Sequence, residues 1–272
     1  MDASRMSAED ALTHASERVR EIAGEWEPPD FAHVPDADAA LFLCSVDHKT
    51  GYAEGHEVDD EGPYSGSELM WLLGLKAAAA EPGLLTSRHL RYVSAGDVAE
   101  WFRADDEPIA DPERRAWLWR NLASGLESDY GGSALELLAS TEGRLAGGGG
   151  VVERLRPYHA FSDPLAKKAY LFAKIADRRG WFEVSDPESW EVSADNVLMR
   201  LALRSGLVQP GSLDEVRRAT RVALKELAVK AEISPPVLDD MLWELGRDDP
   251  DLLGTDAGDV REPERDPASH WY

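Results

Sequence analysis

The chain has a single cysteine, no long apolar run and seven lysines in 272 residues. One cysteine, Cys44, excludes an intramolecular disulfide and any zinc site built from several thiolates. It lies inside "ALFLCSV" and reads as a small buried hydrophobe rather than a nucleophile. No stretch of eighteen apolar residues occurs, so no segment is expected to span a membrane. The N-terminal stretch "MDASRMSAEDALTHASERVREIAGEWEPPD" lacks an apolar h-region and carries acids throughout, which points to a cytoplasmic protein rather than a secreted one. Familiar chemical signatures are missing as well: there is no Walker loop, no GxGxxG after a strand, no HExxH and no GxSxG.

Basic residues are scarce. The 52 acidic and 29 basic residues leave a net charge of −23, and such a surface repels polyanions. An acidic, lysine-poor surface is also what salt-adapted proteins carry, and salt screens that repulsion. The charge is uneven. Residues 151–208 hold nine Arg and Lys against eight Asp and Glu. This near-neutral segment can tolerate a small phosphorylated ligand, whereas nucleic acid is disfavoured as a partner.

What is present is helical patterning. No segment alternates strongly with period two, and the spacing predicts an all-α protein of eight to ten helices. "SGSELMWLLGLKAAAAEPG" has a serine cap, an early glutamate and a Pro-Gly stop. "DPERRAWLWRNLASGLESDYGG" places Pro112 at the first helical position and glycines at the end. "DPLAKKAYLFAKIADRRG" reads as a helix from Asp163 to Gly180, with Leu165, Ala169, Phe172, Ala173 and Ala176 on one face. "SLDEVRRATRVALKELAVKAEI" is capped by Ser212, and "SPPVLDDMLWELGR" follows it. "ADAALFLCSVD" fits either a buried helix or a strand. "HKTGYAEGHEVDDEGPYSG" reads as a loop. The expected organisation is an N-terminal helical extension over 1–30, a helical domain over 31–246 and an acidic, disordered tail over 247–272.

Two features stand against local preference or ask for a second role. Lys167 and Lys168 sit in the first turn of their helix, where a positive charge meets the positive end of the helix dipole. Asp195 stands directly before the apolar-periodic run "NVLMRLALRSGLV". It is suited to capping that helix, and equally to presenting a fixed carboxylate to a ligand. His48 and His56 share a polar loop with Asp47, but at a spacing too loose for a metal site, and no metal or cofactor is expected.

Taken in order, "YSGSELMWLLGLKAAAAEPGLLT", "ERRAWLWRNLASGLESDYGGSALELL", "KKAYLFAKIA", "SADNVLMRLALRSGLV", "SLDEVRRATRVALKELA" and "DDMLWEL" resemble the helix-hairpin-helix glycosylase superfamily. Within it the sequence is most similar to the queuosine salvage proteins, which hydrolyse the N-glycosidic bond of queuosine 5′-phosphate. The resemblance covers residues 40–246. It implies an N-glycosidase with no cofactor, releasing a 7-deazaguanine base from a small modified nucleotide. Asp195, with Lys167 or Lys168, would be catalytic, and Asp47, His48, Tyr64 and Ser65 would line the pocket. Trp181 is a candidate for stacking on the base. The chain reads "SVDHKTGY" where that family has an aromatic-rich Asn-Phe segment, which leaves the base open. The archaeal 8-oxoguanine DNA glycosylases also resemble the Lys helix and Asp turn, so a DNA glycosylase for oxidised purines, with or without lyase activity, is the alternative. Against it, "LRPYHAFSD" before the lysines has no glycine to present N–H groups to a DNA phosphate.

Overall fold

The computed structural model describes residues 7–255 and 257–271. Among them the chain forms α1 (Ala8–Ala23), α2 (Ala37–Val46), β1 (His56–Val58), β2 (Glu61–Tyr64), α3 (Gly66–Ala80), α4 (Ser87–Leu90), α5 (Ala95–Trp101), β3 (Arg103–Ala104) and β4 (Glu107–Pro108). It continues through α6 (Pro112–Tyr130), α7 (Ala134–Ala139), α8 (Val151–Leu155), α9 (Lys167–Arg178), α10 (Asn196–Arg204), α11 (Leu213–Ala231) and α12 (Pro235–Asp248). The fold is all-α apart from two short antiparallel hairpins, β1–β2 and β3–β4. No helix among the described residues is long and apolar enough to cross a membrane.

The twelve α-helices among the described residues exceed the eight to ten expected, because short turns such as α4 and α8 escape a reading based on long apolar spacing. The β1–β2 hairpin lies inside the stretch expected to be a loop. Its turn residues Asp59 and Asp60 both adopt positive φ, at 54° and 63°. Two-residue hairpin turns require that conformation and usually signal it with Asn-Gly or Asp-Gly; Asp-Asp hides it.

The chain divides into two compact units. One comprises the residues up to Asp30 together with Glu188–Ser269; the other comprises Phe31–Pro187 together with His270 and Trp271.

In the unit built on Phe31–Pro187, α2 is the central element. The run that fits either strand or helix is a helix, capped by Asp36 through Ala39 N–H at 2.8 Å, and every residue of it except Asp38 is buried. Helices α3, α6, α7 and α9 pack around it. Its sides are apolar all round because it has neighbours all round. Helix α9 begins at Lys167 and not near Asp163. The Asp163 carboxylate accepts the backbone N–H of Leu165 at 3.1 Å and of Lys167 at 3.2 Å. That turn leaves Ala166 at φ 52° as the residue before the helix. Lys167 and Lys168 are therefore its first two residues.

In the other unit α1 packs on α11, and α10 packs on α11 and α12. A core of Val19, Leu198, Leu201, Leu224, Met241 and Leu242 joins these four helices. Gly246 lets α12 approach α10: a Cβ there would stand 2.6 Å from Leu201 Cδ1 and 3.1 Å from Val197 Cγ1. Acidity and proline suggest an extended tail after α12, but described residues on either side of position 256 fold back on α10, the Ala257 N–H donating to the Arg204 carbonyl at 2.9 Å. Leu252 and Leu253 are buried in the core. Arg204 pairs with Asp251 at 2.6 Å and with Asp259, and Arg200 with Glu262 at 3.3 Å. Two leucines and three complementary carboxylates outweigh the tail-like composition.

Candidate functional site

Asp195 is the residue before α10. Its Oδ1 accepts the Leu198 N–H at 3.0 Å, so the capping role read from the sequence is realised. The segment before it is held in place from two helices. Asp239 of α12 accepts the Ser193 N–H at 2.7 Å, and Arg217 of α11 donates through Nε to the Ala194 carbonyl at 3.4 Å. Asp195 is buried at 4% exposure, and its Oδ2 accepts no hydrogen bond among the described residues. A carboxylate with one oxygen anchored and the other uncommitted can meet a developing positive charge without reorganising.

The other candidates fall in the unit built on Phe31–Pro187. Lys168 extends from the second position of α9 towards the C-terminal end of α2 and is 1% exposed. Its Nζ donates to the Ser45 carbonyl at 2.7 Å and lies 3.1 Å from His48 Nδ1. Burial disfavours the ammonium and drives the Lys168 pKa well below the ordinary lysine value, with Arg115 and Lys167 adding repulsion and Asp47 opposing. Burial likewise pushes the His48 pKa well below its ordinary value, helped by Lys168 and Arg115. The pair is thus biased towards a neutral amine beside a neutral imidazole. The nearby Cys44 thiol is pushed upward by burial, which keeps it protonated and inert.

The geometry of this cluster is set by a residue that spacing alone did not single out. Arg115 of α6 is fully buried, and its guanidinium donates to the carbonyls of Ala110 (2.8 Å), His48 (2.5 Å), Lys49 (3.1 Å) and Val46. Burial lowers its pKa to about 10, so it stays charged near neutrality. It closes the carbonyl end of α2 and fixes the backbone that carries Asp47 and His48. The signal was present in the sequence: Arg115 lies on the same helical stripe as Leu118, Trp119, Leu122 and Leu126.

Asp47 joins the cluster through two side chains of α3. It accepts Ser67 Oγ at 2.5 Å and Trp71 Nε1 at 3.2 Å, two groups one turn apart on α3. Ser65 instead caps α3 without a side-chain bond, and Tyr64 reaches Glu61 at 3.4 Å from the end of β2. Lys167 is half-buried and its Nζ has no partner among the described residues. Trp181 lies apart from the cluster. It is half-buried under the Arg179 guanidinium, 5.2 Å from its ring, and lines an open groove of about 600 Å³ with Leu135, Leu138 and Phe182. None of Asp47, His48 and Lys168 lines that groove. Among the described residues no three His, Cys, Asp or Glu side chains converge as a metal ion would require.

No family model matches the sequence, and no curated protein matches it. Among solved structures, the 8-oxoguanine DNA glycosylase of Pyrobaculum aerophilum, crystallised with 8-oxoguanosine, is similar over 89% of this chain and 84% of its own. The identity is 13% and the TM-score 0.44, a level at which the likeness carries no weight for function.

Proposed function

We propose that the protein is an N-glycosidase that hydrolyses the ribosyl–base bond of a modified purine nucleotide of the 7-deazaguanine, queuosine type. The reading rests on Asp195, a buried carboxylate with Oδ1 tied to the Leu198 N–H and Oδ2 free of hydrogen bonds among the described residues. As the C1′–N bond breaks, its electron pair leaves with the base and positive charge develops on the sugar. A fixed carboxylate stabilises that charge. It also accepts a proton of the water that attacks C1′, while the departing base, which has taken the bond's electron pair, picks up a proton from solvent, giving free base and ribose phosphate. The ordered series of motifs over residues 40–246 supports the same class, and the near-neutral charge of residues 151–208 suits a phosphorylated substrate.

One observation favours the alternative. The Lys168 amine, biased to its neutral form by burial, is equipped to attack an aldehydic sugar carbon, as a lyase requires. The net charge of −23 opposes a DNA substrate.

The test is incubation with queuosine 5′-phosphate, with queuosine and with duplex DNA containing 8-oxoguanine, reading free base by mass spectrometry. Release from the nucleotide is the expected result. Release from DNA alone, with a borohydride-trapped covalent adduct, would replace this function with the alternative. Release from none would overturn both.

A further inference from the structure

His270 and Trp271 do not behave as part of an extended tail. Residues 264–268 are exposed, yet His270 and Trp271, which follow Ser269, are partly buried and belong to the unit that holds Lys168. Both are tied to the short 3-10 turn His159–Phe161 and its flank. His270 Nε2 donates to the His159 carbonyl at 2.7 Å, and Trp271 Nε1 to Ser162 Oγ at 3.2 Å. That turn is itself firmly seated. The His159 N–H donates to Asn121 Oδ1 at 2.9 Å, and its ring stacks on Trp117 at 4.5 Å between centroids.

From this seat the His270 ring meets the His48 ring edge-on, 6.1 Å between centroids. His48 in turn stands 3.1 Å from the Lys168 amine. Exposure falls along this series: His270 is partly buried, His48 is 6% exposed and Lys168 1%. The tail residue is therefore an outer layer over the imidazole that touches the amine. It is tied by one hydrogen bond to the His159 carbonyl and one ring contact, beyond an exposed connection. Such contacts open at low cost compared with the unit's core.

We propose that the His270–Trp271 pair is a detachable stopper over the Lys168–His48 pair, so that access to the Lys168 amine is governed by this segment. The inference stands on the burial of Lys168 and the docking of the two aromatics, not on the reaction proposed above.

Amine accessibility tests it without reference to catalysis. The probe is pyridoxal 5′-phosphate with borohydride: the amine adds to the aldehyde, water leaves, and hydride reduces the imine to a stable secondary amine. Labelling of Lys168 is followed by peptide mass mapping, with the exposed Lys76 as internal reference. A chain ending at Ser269, and the double variant His270→Ala, Trp271→Ala, are each expected to label Lys168 at least about tenfold faster than the full chain. Lys76 is expected to be unchanged, and added peptide covering residues 261–272 to slow the labelling again. Lys168 rates within twofold of the full chain would overturn the proposal. A parallel rise at both lysines would also overturn it, since that reports general loosening of the fold.

Discussion

Replacing Asp195 by asparagine and by alanine separates its capping of α10 from the catalytic role proposed for it. Asparagine keeps an oxygen for the Leu198 N–H and caps a helix about as well as aspartate. It loses only the favourable charge–dipole interaction, about 0.3–1 kcal/mol. Alanine loses the cap, which costs about 0.5–2 kcal/mol. The upper end applies here because Leu198 is 1% exposed and its N–H, bonded to Asp195 at 3.0 Å, would be left without water. At about 2–4 °C per kcal/mol for a chain of this size, Asp195→Ala is expected to melt roughly 4–8 °C below the parent. Asp195→Asn is expected to melt less than about 4 °C below it. Base release tells the opposite story, because both variants lack the negative charge. Each is expected to lose about 10²–10⁴-fold in kcat, the contribution of a positioned base. The assays are thermal melting by circular dichroism and base release from queuosine 5′-phosphate. Full activity in Asp195→Asn would refute the catalytic role and leave Asp195 a helix cap.

Arg115→Met keeps the length of the side chain but strips its donors from the carbonyls of Val46, His48, Lys49 and Ala110. Unsatisfied buried acceptors cost about 1–3 kcal/mol each, partly offset by no longer burying a guanidinium. A net loss of about 3–5 kcal/mol is expected in urea unfolding, and a loss under about 1 kcal/mol would show that Arg115 is not the clamp. The buried His48 predicts a pH dependence whose sign is fixed. Its folded pKa lies well below the ordinary 6.5, so as pH falls through 6.5 the unfolded chain takes up a proton that the folded chain refuses. Stability therefore declines on acidification below that value. His270, whose pKa is also lowered, chiefly by burial, contributes in the same direction. His48→Asn is expected to flatten the melting temperature between about pH 5 and 7; slopes equal to the parent's would contradict a neutral buried His48.

Much of the helical plan was legible because its signals are local. Ser94 with Asp97, and Ser212 with Glu215, bind each other three residues apart, as a capping pair must. Helix α2 was ambiguous because a wholly buried run carries no polar face to set its period. The Asp-Asp turn of β1–β2 was hidden because it lacks the glycine that normally announces positive φ.

The candidate site divides along the same line. By itself the sequence determined the helical class, Asp195 as a candidate cap, the improper place of two lysines at a helix start and the net acidity. Only the tertiary structure decided that Lys168 and not Lys167 is buried. It also decided that Ser67 and Trp71 hold Asp47, and that Asp251, Asp259 and Glu262 pair with arginines of α10. The reason is distance along the chain. The partners of Lys168 lie 120 and 123 residues away, and the partners of Arg115 in the α2 end lie 66 to 69 residues away. A charged side chain at an apolar spacing looks solvated until packing supplies the carbonyls that make its burial tolerable.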